Sequence, residues 1–193
     1  MRLDTFVQLA QETLRHPRGA AVQIMDWQLS REVLWTALAL VAAVNTFLVL
    51  LLVEVSGPTM PLPSYFEAPV VLFLLLTGLM VVYIHAMYWA GLAIGGQGAL
   101  LDLVALVVWF QVLRAVAQLA VIVLSLVAPY VGLLLSLMVA VWGLWIFLNF
   151  IAAAMRLPSA GHGLMVLVIS AVGLVLGLAI LLSLIGFGAQ GVT

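Results

Sequence analysis

The sequence predicts an all-α polytopic membrane protein, with five transmembrane helices preceded by short amphipathic N-terminal helices. Three observations carry that reading. Hydrophobic residues fill 67% of the 193 positions and charged residues only 7%, with a mean hydropathy of +1.35, whereas a water-soluble domain keeps about a quarter of its residues charged. The charges are also unevenly placed. Eight of the thirteen precede Val33: Arg2, Asp4, Glu12, Arg15, Arg18, Asp26, Arg31 and Glu32. Beyond that point come five apolar stretches, each longer than the roughly 20 residues a helix needs to cross a hydrocarbon core of about 30 Å. Disorder is excluded, because it requires low hydrophobicity and high charge.

The first 30 residues form a polar cytoplasmic lead-in of two amphipathic pieces. In 3–15, Leu3, Phe6, Val7, Ala10 and Leu14 recur at helical spacing, with Asp4, Gln8, Gln11, Glu12 and Arg15 on the other side. Pro17 ends this piece, because the residue before a proline is pushed out of the helical region. A second piece is predicted from about Gly19 to Gln28, carrying Ala20, Ile24 and Trp27. Such helices suit the membrane surface, apolar sides among the headgroups and arginines near anionic lipid; the alternative is a cytoplasmic lead-in packed on the bundle. No cleaved signal peptide is expected, since this opening is mixed and polar rather than a short apolar run. Ser30 is placed to cap the next helix, with Glu32 in its favourable first turn.

The spans are predicted at about 32–53, 69–92, 102–127, 130–155 and 163–186, within a transmembrane domain of 31–187 followed by a short tail at 188–193. Helices satisfy the backbone inside lipid, and the runs lack the alternating ten-residue pattern of a transmembrane barrel. Ala128-Pro129-Tyr130 reads as a tight turn, with Pro129 in the first turn of the fourth span. Arg2, Arg15, Arg18 and Arg31 precede the first span and Arg156 follows the fourth, while the 54–68 loop holds Glu54 and Glu67 but no arginine. The positive-inside rule then puts the N-terminus in the cytoplasm and the C-terminus on the far side.

Several spans carry small residues four apart: Ala39 and Ala43, Gly91 and Gly95, Gly173 and Gly177. Small residues let helix backbones approach in lipid, so these pairs are candidate helix contacts, within the bundle or, for Gly173 and Gly177, in self-association.

The third span is anomalous. Gln111, Arg114, Gln118 and Ser125 form one polar stripe, with Arg114 near the centre. An arginine facing lipid at that depth costs at least ~2.5 kcal/mol. It is therefore expected to face the bundle interior, a water-filled groove or headgroups. Candidate partners are Asn45, Asn149, His85, Glu54 and Glu67. The stripe reads either as a lock between helices or as an ion or substrate path.

Motif reasoning points away from an enzyme. With no cysteine in the chain, disulfides and cysteine nucleophiles are excluded. The histidines, His16, His85 and His162, are far apart and form no metal-binding pattern, so no metal or cofactor is expected; a hydrogen bond near Tyr83 or Tyr88 is expected for His85. Ser159 lies near His162, but Gly-x-Ser-x-Gly is absent and no carboxylate follows to orient the histidine. Gly95-Gly96-Gln97-Gly98 cannot be a Walker loop, because the chain has no lysine; its amides are instead candidates to meet lipid phosphate. A net charge of −1 offers no basic surface for nucleic acid. The expected partners are the lipid bilayer and other membrane proteins, including further copies of this chain.

The segment Gly95-Gly96-Gln97-Gly98-Ala99-Leu100-Leu101-Asp102 after the second span resembles the Gly-Gly-x-Gly loop of Yip1-domain proteins. His16-Pro17-Arg18 in the lead-in, five close-packed spans, and Arg156 with His162 in the fourth-to-fifth connection agree with that family. The resemblance runs from about Thr13 to Ile185. Gln97 departs from it, standing where the family often has lysine, and Arg114 has no counterpart carried over. The resemblance implies a five-span membrane scaffold. Eukaryotic members look like secretory-pathway proteins that bind small GTPases, and bacterial members share the topology without a settled activity. Arginine as the sole basic residue and compact loops look bacterial, implying the cytoplasmic membrane. GTPase binding is not carried over, because the long cytoplasmic segment of eukaryotic members is here only about 30 residues. The site residues singled out are the stripe Gln111, Arg114 and Gln118, the loop Gly95–Gly98 with Arg156 and His162, and the pair Gly173 and Gly177.

Overall fold

The computed structural model describes residues 3–56, 66 and 68–184. Glu67 and the tail expected at 188–193 lie outside them. Among the described residues all regular structure is helical: α1 (Leu3–Arg15), α2 (Pro17–Met25), α3 (Arg31–Ser56), α4 (Pro69–Ala93), α5 (Leu100–Val127), α6 (Pro129–Ala154) and α7 (Ala160–Leu184). Five of these, α3 to α7, are long and apolar enough to cross a membrane.

Local sequence accounts for the helix ends. α1 stops before Pro17, and Pro17 itself opens α2. The second helix therefore starts two residues earlier than Gly19, because proline's fixed φ suits the first helical turn and its missing N–H costs nothing there. The Val33 amide donates to Ser30 Oγ at 3.4 Å, a long cap at the position the sequence marks. Ala128 closes α5 and caps α6 at once, with Pro129 in the first turn of α6.

The five long helices close a ring: α3 packs on α5, α5 on α6, α6 on α7, α7 on α4 and α4 on α3. α2 lies against α5 and α6. Packing is uneven along the ring. At the lead-in end, Ile84, Met87, Leu103, Leu106, Ile146, Phe150 and Met155 form one buried cluster that also takes in Leu9 and Ile24. Toward the far end the second cluster is small, with Leu48, Ala115 and Ile122 at its centre. There α6 exposes Leu133, Leu137 and Val141, and α7 exposes Val175, Leu178 and Ile180. The ring is tight at one end and splayed at the other.

Glycines allow the tight end. In lipid, helix association rests on close van der Waals packing rather than on release of water. A side chain on Gly98 would strike the Ala154 carbonyl oxygen, and one on Gly163 the Leu148 carbonyl oxygen. Gly91 lies under Met155, where an added Cβ would fall 2.6 Å from Cε.

Candidate functional site

The lead-in is hydrogen-bonded into the ring at three places. Arg18, on α2, donates from Nε to Asn149 Oδ1 at 3.2 Å and from Nη1 to the Pro158 carbonyl at 2.9 Å. Trp109 Nε1 on α5 donates to Thr13 Oγ1 at 3.0 Å, and Thr13 Oγ1 in turn donates to the Leu9 carbonyl at 2.8 Å. Trp142 Nε1 on α6 donates to the Leu14 carbonyl at 3.2 Å. Thr13 is fully buried. Sequence reasoning singled out His16-Pro17-Arg18 but not these ties, whose partners lie about a hundred residues or more along the chain. While α1 and α2 bury Leu9, Ala20, Ala21 and Ile24, they leave Val7, Leu14 and Val22 exposed, and the turn after them leaves Trp27 and Leu29 exposed.

All six tryptophans belong to this half of the molecule. Trp27 packs edge-on to Trp109 with ring centroids 6.3 Å apart, and Trp142 packs edge-on to Trp145 at 6.1 Å. Trp35 is near the start of α3 and Trp89 near the end of α4. Indoles concentrate where apolar and wet surroundings meet. The residue list contained this signal, but it shows only when each position is laid along its own helix.

The glycine loop meets the end of α6. The Gln97 amide donates to the Met155 carbonyl at 3.0 Å, the Gly96 amide to Gly91 at 2.9 Å and the Gly95 amide to Leu92 at 3.0 Å. This corrects the expectation that the loop's amides are free for lipid phosphate, because three successive ones are consumed inside the protein. Gly95 has φ +91°, a left-handed turn with nothing within 4 Å of its missing Cβ. Arg156 also turns left-handed, at φ +55°, and is exposed. His162 Nδ1 and Ser159 Oγ are 2.8 Å apart. The loop and the α6–α7 turn thus share one end of the ring, joined through the backbone at Met155 rather than through Arg156 or His162.

The polar stripe on α5 faces inward. Asn45 Nδ2 donates to the Val41 carbonyl at 2.8 Å and approaches the Gln111 carbonyl at 3.4 Å. Gln111 Nε2 lies 3.1 Å from Met80 Sδ on α4. None of the described candidate partners pairs with Arg114. Asn149 is taken by Arg18, Asn45 by carbonyls, and His85 by the Val81 carbonyl at 2.8 Å and by stacking on Trp35 at 6.0 Å. His85 thus makes a hydrogen bond inside the bundle, with a backbone carbonyl two residues before Tyr83 as its partner. Glu54 is exposed, and Glu67 is not described. Arg114 is exposed and forms no hydrogen bond or ion pair among the described residues.

Gly173 and Gly177 have nothing within 4 Å of a missing Cβ. Ala39 and Ala43 are exposed on α3. None of the four is an internal contact, because α7 splays from its neighbours beyond Ser170 and this side of α3 turns outward. Of the six small residues spaced four apart, Gly91 is the one a side chain would press against a neighbouring segment, at Met155 just past the end of α6. Among the described residues, no three of His, Asp or Glu gather.

The Yip1 domain family model matches residues 12–182, nearly the whole described chain. No curated protein and no solved structure matches the chain. The stretch matched takes in the lead-in from Glu12, the glycine loop, the Arg156–His162 turn and all five long helices, and the chain belongs to the Yip1 domain family.

Proposed function

We propose that this integral membrane protein is a non-enzymatic scaffold that organises lipid or partner proteins at the cytoplasmic face of a bacterial cytoplasmic membrane. One observation carries the reading: the α1–α2 lead-in is tied into the transmembrane ring at Asn149, Trp109 and Trp142 yet keeps Val7, Leu14, Val22 and Trp27 exposed. A helix pair with an apolar rim beside a band of tryptophans suits the boundary between headgroups and acyl chains. Arginine placement favours the cytoplasm for this end. The lead-in then acts as a plate fixed to five spans, so lipid displaced by the plate is displaced at a set place beside the ring.

The chain's lack of cysteine makes the test direct. Spin labels at Val7→Cys, Leu14→Cys and Val22→Cys are expected to be reached by lipid-soluble oxygen in reconstituted vesicles, and labels at Gln8→Cys and Gln11→Cys by a water-soluble nickel complex. Equal nickel access at all five positions would remove the plate from the membrane and end this reading.

A second reading, a channel or transporter subunit for an ion or small solute, is favoured by Arg114, which has no partner among the described residues. Against it stands the buried plug of Val104, Val107, Met87 and Phe150 at the lead-in end of the ring. Flux in vesicles that is lost in Arg114→Ala while the protein still assembles would establish transport in place of the scaffold.

A further inference from the structure

We propose that the inside of the splayed ring holds an oxyanion site centred on Arg114, and that its ligand is the phosphate of a phospholipid headgroup. The inference stands apart from the reading of the lead-in, since no residue is shared.

The contacts of α5 fix the direction of Arg114. Toward α3, Ala115 and Ile122 pack with Leu48, and the Gln111 carbonyl meets Asn45. Toward α6, Phe110 packs on Phe147 at 5.0 Å and Ser125 lies against Gly132. At about 100° per residue, Arg114 and Gln118 fall in the arc between these two contact lines. Gln111 borders the same arc and touches Met80 of α4, so the arc looks across the ring rather than outward. α4 runs antiparallel to α5. Thr77, one turn before Met80, therefore comes level with Arg114, one turn after Gln111.

Polar atoms without partners gather at this level. Thr77 Oγ1 and Gln111 Oε1 are buried and unbonded, and Arg114 has no partner among the described residues. A guanidinium offers a fork of donors matched to phosphate oxygens, and the Thr77 hydroxyl and Gln118 amide add further donors. Gln111 Oε1 is an acceptor, which a hydroxyl on the headgroup satisfies. Phe73, Leu76 and Met80 share the inward side of α4 with Thr77, an apolar wall that suits an acyl chain. The ring is plugged at the lead-in end and open between the splayed helices, so a lipid enters sideways or from the far end and cannot pass through. A phospholipid with a glycerol headgroup supplies phosphate, hydroxyl and acyl chain together.

The test is native mass spectrometry of the full chain in detergent, titrated separately with phosphatidylglycerol, phosphatidylcholine and inorganic phosphate. Wild type is expected to retain phosphatidylglycerol in preference to phosphatidylcholine. Arg114→Gln is expected to lower the bound fraction about tenfold, as for loss of charge-assisted hydrogen bonds. Arg31→Gln, exposed at the start of α3, is expected to leave it unchanged. Equal retention in wild type and Arg114→Gln, or an equal loss in Arg31→Gln, would overturn the site. Inorganic phosphate that displaces the lipid at equal concentration would overturn the lipid assignment in favour of a free anion. Should Arg114→Gln not assemble, Arg114→Lys and Thr77→Val decide. Partial retention in the first with reduced retention in the second supports the site, and wild-type retention in Thr77→Val counts against it.

Discussion

Arg18 and Asn149 are 131 positions apart, yet the Nε of one donates to the Oδ1 of the other at 3.2 Å. The same guanidinium reaches the Pro158 carbonyl at 2.9 Å. One side chain thus joins α2, α6 and the α6–α7 turn. Asn149 is held for this role by its own amide, which donates to the Trp145 carbonyl at 2.8 Å one helical turn away.

Replacing Arg18 is expected to loosen the lead-in before it unfolds the ring. Hydrogen bonds to a charged group contribute about 1.5–3 kcal/mol when buried. The Pro158 bond is exposed, so a loss of about 1–2 kcal/mol is expected for Arg18→Ala. Arg18→Lys should recover little of it, because a single ammonium does not span both acceptors. Hydrogen exchange of the α1 and α2 amides against those of α5 checks this. Exchange that rises equally in all helices would show that Arg18 is not specific to the joint.

Gly98→Ala is expected to be severe and Gly95→Ala milder. An added Cβ at Gly98 meets the Ala154 carbonyl and lies 2.7 Å from Met155 Cα. Backbone cannot swing aside as a side chain can, so about 2–3 kcal/mol of overpacking is expected. Gly95 has open space and only its φ of +91° to resist, which costs roughly 1–2 kcal/mol for a residue with a Cβ. Thermal unfolding of the two variants in detergent would reveal the order, and a Gly98→Ala protein as stable as wild type would contradict the packing described.

Leucine at both Gly173 and Gly177 is expected to leave the single chain's stability within about 0.5 kcal/mol, as surface changes do, because nothing lies within 4 Å of either. If copies of the chain meet along α7, the same double variant weakens energy transfer between labelled copies in vesicles. Energy transfer that is unchanged removes this face as a seam.

The orientation is open to chemical labelling in a chain without native cysteine. Gln8→Cys and Gly161→Cys are expected to react with an impermeant thiol reagent from one side of intact vesicles, and Tyr130→Cys from the other. Tyr130 is 85% exposed and lies in the first turn of α6, next to the turn that joins it to α5. All three reacting from one side would refute five crossings.

The spans were readable because lipid imposes one rule on every residue: a run of some 20 apolar positions must be a helix. Ser30 and Pro129 were readable for a similar reason, since caps and first turns depend on near neighbours. That the stripe occupies one face followed from spacing, while its direction stayed open between the bundle interior, a groove and the headgroups. That Arg114 has no partner among the described residues did not follow, because pairing depends on how far α4 and α6 stand from α5 at that level. The Arg18–Asn149 tie was equally hidden, as no local pattern distinguishes an asparagine that will meet an arginine from one that bonds only its own helix. The glycine loop was noticed for its composition. That it lies against the end of α6, with the Gln97 amide bonded to the Met155 carbonyl and the Gly95 and Gly96 amides bonded to the end of α4, is a property of the assembled ring.

The shared cap at Ala128 has a bearing on biogenesis. With Pro129 directly following it, α5 and α6 have no linker in which one could wait in water while the other inserts, so the two enter the bilayer as a hairpin. The entry of Arg114 is then driven partly by the uncharged α6 tethered behind it. A reporter fused directly after Ala128 should stay on the side of the lead-in, because α5 alone does not cross, while Tyr130 in a chain ending after Ala154 should reach the opposite side.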